Sequence, residues 1–298
     1  METTKPRITR LVTITSLVGF AAAACTQSWS WGQLLVTLFG CAAGTACSAA
    51  GANAVNQFIE RDLDVLMPRT RSRPLPEGRS EPRVVLAWGM ALGVAGVAIL
   101  LTMCGWVPAL VSAVCYLVYV AVYTPLKTRT TLATYVGAIP GALPPLIGWS
   151  AARAAGGETS LVSLLEPGGL SLFALMCVWQ LPHFFAIAWL YREDYALGGF
   201  KMVAVDDPDG TRTARTVGLW TFLLVPATLA PYWLLGGVVG PVYFGVAAVT
   251  GLVFAWLAAR LMKTRTRADA RRLFIASVIH LPLILMTLVG EGLFRALV

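Results

Sequence analysis

Residues 84–126 read VVLAWGMALGVAGVAILLTMCGWVPALVSAVCYLVYVAVYTPL, with no charged side chain anywhere from Val84 to Leu126. A helix crosses the hydrocarbon of a bilayer with about 20 apolar residues. This stretch therefore holds two crossings, parted only by Gly105-Trp106-Val107-Pro108. Leu11–Gln57 and Thr216–Ala259 are equally free of charge. Over the 298 residues, 57% are hydrophobic and 13% are charged, with a mean hydropathy of +0.71. A soluble domain carries about 25% charged residues. The deficit sets apolar surface against lipid instead of inside one large core. The chain reads as all-α, a polytopic membrane bundle forming a single domain over 1–298.

Splitting the runs at charges, Gly and Pro predicts nine spans, near 9–27, 33–60, 83–104, 107–124, 131–150, 169–191, 215–235, 238–262 and 272–294. With the N-terminus inside, the inner segments hold 21 of the 23 Lys and Arg residues, leaving only Arg153 and Arg295 outside. That asymmetry is the positive-inside pattern, and it predicts a cytoplasmic N-terminus and an external C-terminus. The net charge of +8 is thereby explained by membrane flanks, which removes nucleic acid as a partner. Lys5, Arg7 and Arg10 followed by an apolar stretch ending at Cys25 imitate a lipoprotein leader, yet a retained first span completes the topology. The six cysteines all fall in apolar runs without metal-ligand spacing and read as packing residues.

The inner loops, near 61–82, 125–130, 192–214 and 263–271, carry nearly all the chemistry. In Asn56-Gln57-Phe58-Ile59-Glu60-Arg61-Asp62-Leu63-Asp64, Asn56, Glu60 and Asp64 recur every fourth residue and share a helix face. An amide and two carboxylates on one face suit a hard cation, chiefly Mg²⁺, which commonly bridges to substrate phosphates. Arg69, Arg71 and Arg73 follow directly, and arginine matches phosphate oxygens with its fork. A second acidic segment, Tyr191-Arg192-Glu193-Asp194-Tyr195 with Gly198-Gly199 and Lys201, repeats the theme and adds Asp194 to the expected Mg²⁺-diphosphate ligands. The run Asp206-Asp207-Pro208-Asp209-Gly210 reads as a polar turn. Charge gathered at one face over an apolar body fits an enzyme whose substrate is part lipid and part anion. A transporter would place polar groups at mid-membrane.

Asn56…Glu60…Asp64 with Met67-x-Arg69-Thr70-x-x-Arg73-Pro74 resembles the first motif of heme O synthases, within the UbiA-type prenyltransferase superfamily. Tyr123-Thr124-Pro125-Leu126-Lys127-x-Arg129-Thr130 and Pro144-Pro145-Leu146-Ile147-Gly148-Trp149 are similar to its middle block. Trp179-Gln180-x-Pro182-His183-Phe184 and Tyr191-x-x-Asp194-Tyr195-x-x-Gly198-Gly199-x-x-Met202 are similar to its third. Glu60 stands where that family usually has Asp, Thr134 where Asn is expected, and Val203-Ala204 replace a common Leu-Pro. The resemblance implies Mg²⁺-dependent transfer of a farnesyl group from farnesyl diphosphate to a vinyl group of protoheme IX (heme B), then addition of water. On it, Asn56, Glu60, Asp64 and Asp194 are catalytic, and Arg69, Arg73, Lys127, Arg129 and Lys201 bind diphosphate. Phe58, Tyr123 and Trp149 are placed to shield an allylic cation through their ring faces.

His183 and His280 are the only histidines, and both fall in predicted spans. Ionisable residues at membrane depth are costly and usually functional, and a neutral imidazole ligates heme iron; both are expected heme contacts. His183 precedes Asp194 by eleven residues and shares its face if that helix is continuous, on the order of 16 Å deeper. The rival readings are a UbiA-type enzyme acting on an aromatic or quinone precursor, and an anion transporter. Expected surroundings are a bacterial inner membrane and its lipid, a cytoplasm-facing site, and a later heme-modifying enzyme or terminal oxidase as partner.

Overall fold

The computed structural model describes residues 2–298. Helices account for the regular structure among them, without strands. They run α1 Pro6–Ala24, α2 Trp31–Asp64, α3 Pro82–Cys104, α4 Trp106–Leu117, a π-helical turn Val118–Tyr123, α5 Thr124–Leu126, α6 Ala133–Ala142, α7 Pro144–Ala155, α8 Pro167–Leu190, α9 Arg192–Leu197, α10 Thr211–Leu234, α11 Pro241–Thr264 and α12 Arg267–Leu297. Starts are written in the sequence. Pro6, Pro82, Pro167 and Pro241 open helices at their first position, where the missing N–H costs nothing. Ser30 and Thr266 accept from the N–H of Gln33 and Asp269, as side-chain caps do. Gly105 sits at φ 97° between α3 and α4, a backbone region open to glycine; this narrow break is enough to separate two spans.

Among the described residues, eight helical segments are long and apolar enough to cross a membrane. The segment expected as a span near 131–150 is built differently: α6 and α7 are short helices that meet at Leu143. Pro144 and Pro145 follow the junction, and neither can donate an N–H to the preceding turn, so the ladder stops there.

α1 packs on α7 and α2, α2 lies along α3, and α8 packs on α10 and α12, with α11 closing that side. The interior mixes small side chains with large ones: Ala23, Cys41, Ala142, Ala151, Ala152 and Ala186 are fully buried, as are Leu175, Leu224, Tyr243 and Ile284. Other large apolar groups point outward, among them Trp88, Val94, Phe222, Leu252, Trp256 and Met286. An apolar exterior over an apolar core suits a lipid surround, where close packing of small residues helps helices associate. Two crossings depend on glycine. A Cβ on Gly51 would lie 2.5 Å from the Gly89 carbonyl oxygen, and one on Gly148 only 1.7 Å from that of Ser16. Because backbone cannot step aside as a side chain does, Gly148→Ala is expected to destabilise the folded protein by about 1–3 kcal/mol. A lowered unfolding temperature in detergent would show it; an unchanged one would mean the α1–α7 crossing has slack.

Candidate active site

At 34 residues, α2 is roughly 50 Å long, well beyond the ~30 Å hydrocarbon thickness. Its final turns, where its charges lie, stand past the apolar region. Asn56 (0% exposed), Glu60 (5%) and Asp64 (1%) face inward there together. Each is met by a cation from another part of the chain. Lys127 Nζ pairs with Glu60 Oε1 at 2.7 Å, and Arg73 Nη1 reaches both Asp64 oxygens at 2.6 and 2.8 Å. Lys5 Nζ donates to Asn56 Oδ1. Asn56 Nδ2 in turn donates to Thr124 Oγ1 at 3.1 Å.

Lys127 and Thr124 are delivered by the π turn. Its wider winding inserts an extra residue immediately before Thr124-Pro125, where the Thr124 hydroxyl donates to the Tyr119 carbonyl at 2.8 Å. The Tyr119 and Tyr123 rings pack 5.5 Å apart, and Lys127 Nζ lies 4.5 Å from the Tyr123 ring centroid. Burial opposes a charge on Lys127, yet the Glu60 carboxylate and the two tyrosines outweigh it and hold the ammonium above the ordinary lysine range. Lys5 goes the other way. Desolvation, with Arg73 and Lys127 nearby, lowers it to about 7 against the pull of Glu60 and Asp64.

Lys5 is absent from the sequence-derived site, since a basic residue ahead of a first span reads as an ordinary flank. Its backbone carries a signal visible only in three dimensions: φ 45°, ψ 67°, a left-handed conformation rare for a side chain with a Cβ. The segment is stitched over the site. Gln57 Nε2 donates to the Glu2 and Thr3 carbonyls at 3.3 and 2.9 Å, and Arg79 Nη1 meets Glu2 Oε2 at 2.7 Å.

The second acidic segment reaches the first through arginine and methionine. The Arg69 guanidinium lies 4.4 Å from the Tyr195 ring centroid and 5.5 Å from that of Tyr191. Gly198 packs against Met67, leaving no room for a Cβ. Lys201 N donates to the Lys127 carbonyl at 2.7 Å. Asp194 sits half-buried on α9. It does not share a helix with His183: α8 ends at Leu190, and Tyr191 at φ −116°, ψ 26° redirects the chain. Arg69, Arg129 and Lys201 are exposed, and no ion pair involves them among the described residues. Asp207 accepts from the N–H of Thr213 at 2.7 Å, so the 206–210 run is a helix-starting turn.

Of the three aromatic residues expected at the cation, only Tyr123 is here. Phe58 packs with Ala54, Leu75 and Val85 on another face of α2. Trp149 Nε1 donates to Glu166 at the opposite end of α8, in a network with Arg153.

No group of three or more His, Cys, Asp or Glu side chains gathers as a metal cage among the described residues. The donor set of Asn56, Glu60 and Asp64 is nevertheless all oxygen, buried and on one face. It suits Mg²⁺, which completes its shell with water and phosphate. Basic groups thus ring two acids at the polar end of an apolar bundle, a charge pattern able to take an anionic headgroup carried on an apolar tail.

The UbiA prenyltransferase family matches residues 12–282. The chain belongs to that family. A relative from Solibacter usitatus named protoheme IX farnesyltransferase is 40% identical over 300 residues, covering 98% of this chain and 99% of its own. Among solved structures, one concerned with digeranylgeranylglyceryl phosphate synthase in membranes superposes with a TM-score of 0.77 at 15% identity, covering 98% of this chain and 96% of that one. A UbiA homolog from Archaeoglobus fulgidus bound to GPP and Mg²⁺ superposes at 0.61 with 14% identity, covering 99% and 100%. These two likenesses establish the fold of a multi-pass membrane bundle.

Proposed function

We propose that this chain transfers a farnesyl group from farnesyl diphosphate to a vinyl group of protoheme IX, with addition of water, giving heme O. The observation that carries the reading is the buried Asn56–Glu60–Asp64 face with its ring of cations, in a chain 40% identical over nearly its whole length to a protoheme IX farnesyltransferase. Departure of diphosphate breaks the C1–O bond of the prenyl chain and leaves an allylic cation. The porphyrin vinyl carbon attacks C1, and water captures the resulting cation and gives up a proton. Asn56, Glu60 and Asp64, together with Asp194 of α9, would hold a Mg²⁺ ion, which would supply Lewis-acid withdrawal of charge from the leaving group. Arg69, Arg73, Lys127, Arg129 and Lys201 form the basic surround for the diphosphate oxygens. Fixed charge aimed at a developing anion is worth most where water is excluded. Tyr123, whose ring face lies 4.5 Å from Lys127 Nζ with Tyr119 packed beside it, can accompany the cation.

Membranes from cells expressing the protein should convert heme B to heme O in a pigment extract. Unchanged heme B beside rapid farnesyl diphosphate consumption would transfer the enzyme to a different acceptor.

The site faces the cytoplasm of a bacterial inner membrane in this reading, and α6 with α7 forms a ninth crossing. Support comes from charge: Arg153 and Arg295 alone lie at the far end, as 21 of 23 basic residues lie at the other. A reporter fused after Val298 is expected to read external, and one within 263–271 cytoplasmic. Both on one side would rule the nine-span arrangement out.

A further inference from the structure

The two histidines at membrane depth are held in opposite ways. His280 is 3% exposed, its Nε2 faces the Thr228 hydroxyl at 3.2 Å, and its ring stacks on Phe254. Its Nδ1 is buried without a partner. Neither nitrogen is open to a ligand as large as a porphyrin. His183 is only partly buried, and it is hydrogen-bonded through Nδ1 alone.

That fixation determines its tautomer. Ser277 Oγ lies 2.6 Å from the Phe274 carbonyl oxygen, and a carbonyl carries no hydrogen, so the hydroxyl is the donor. A hydroxyl has one proton. Toward His183 Nδ1, at 2.7 Å, Ser277 Oγ can therefore only accept. Nδ1 must carry the imidazole hydrogen, which leaves the Nε2 lone pair free, and no described residue engages Nε2. The ring plane is set as well. Trp179, one turn earlier on α8, stacks on His183 at 4.8 Å and 19°, and Phe274 packs on it at 5.3 Å and 30°. Trp179 Nε1 donates to the Ser277 carbonyl at 3.0 Å. One residue of α12 thus ties down two adjacent rings of α8.

We infer that Ser277 is a positioning residue: it fixes His183 as the Nδ1–H tautomer and presents Nε2 as an open base to the iron of the porphyrin acceptor. The inference rests on the heme reading above and assigns the contact to His183 rather than His280. A hydrogen bond to the far nitrogen orients an imidazole ligand and raises its basicity; losing such a partner costs about 10–100-fold in metal affinity.

The test titrates the purified full chain with ferric protoheme IX, following the Soret band, and measures binding of a farnesyl diphosphate analogue with Mg²⁺ in parallel. Wild type is expected to show an imidazole-ligated band that His183→Ala loses. Ser277→Ala should bind heme at least tenfold more weakly with analogue binding intact, and Ser277→Thr, which keeps the hydroxyl, should restore the wild-type titration. Wild-type heme binding in Ser277→Ala, with the band lost in His183→Ala, overturns the role of Ser277 while the heme contact stands. Failure of Ser277→Thr to restore heme binding also overturns it, as does joint loss of both ligands in Ser277→Ala, the mark of a packing residue. An unaltered band in His183→Ala removes the heme contact itself.

Discussion

Asp64→Ala is expected to reduce prenyl diphosphate turnover by about two to three orders of magnitude, the range for removing one charge-stabilising group from a catalytic site. The carboxylate is 1% exposed at the foot of the Asn56–Glu60–Asp64 face and supplies one of only two anionic donors there. The variant should still insert and fold. Arg73, the partner it abandons, is 29% exposed and can turn its guanidinium to water. Adding EDTA to wild type should imitate the substitution, and excess Mg²⁺ should reverse the chelator but not the mutation. Release of diphosphate from farnesyl diphosphate by purified protein measures both. Full turnover in Asp64→Ala, or indifference to EDTA, would mean that ionisation proceeds without a metal.

That site was half legible in the sequence, for a physical reason. A fourfold spacing in α2 places Asn56, Glu60 and Asp64 on one face whatever surrounds it, because helical geometry is local. The spans were legible in the same way, since hydropathy acts residue by residue; the pair of short helices around Leu143 was masked by an apolar run that hides its break. Partnership is not local. Lys5 and Asn56 are 51 positions apart and Lys127 and Glu60 are 67 apart, and nothing in either segment announces the other. The π turn that aims Thr124 and Lys127 leaves no compositional trace. Whether α8 continues past Tyr191 is open in the sequence, where the apolar run stops near 191, and one non-helical residue settles it.

Lys127→Ala should cost the folded protein more stability than any other truncation at this site. In the absence of Mg²⁺ the Lys127–Glu60 pair holds two charges whose side chains are 12% and 7% exposed. Removing one member of a buried pair strands the other, at about 3–5 kcal/mol. A marked fall in unfolding temperature is expected, accompanied by loss of turnover. The double variant Lys127→Met with Glu60→Met should regain most of the stability, because replacing both charges with apolar groups removes the desolvation cost, yet it should stay inactive. Equal instability in the single and double variants would show that the pair contributes through packing instead of charge. Bound Mg²⁺ should also narrow the gap between wild type and Lys127→Ala, since it offers Glu60 a substitute cation.

The stitching of residues 2–5 over α2 has a practical side. With Glu2 on Arg79, the Glu2 and Thr3 carbonyls on Gln57, and Lys5 on Asn56, anything spliced onto the N-terminus emerges a few residues from the acids. A purification handle or fluorescent fusion placed there would sit beside Asn56 and Gln57 and compete for the contacts that residues 2–5 make with them. The other terminus is free of that conflict: Val298 is 94% exposed, at the end of α12, so handles for purification, immobilisation or labelling belong there.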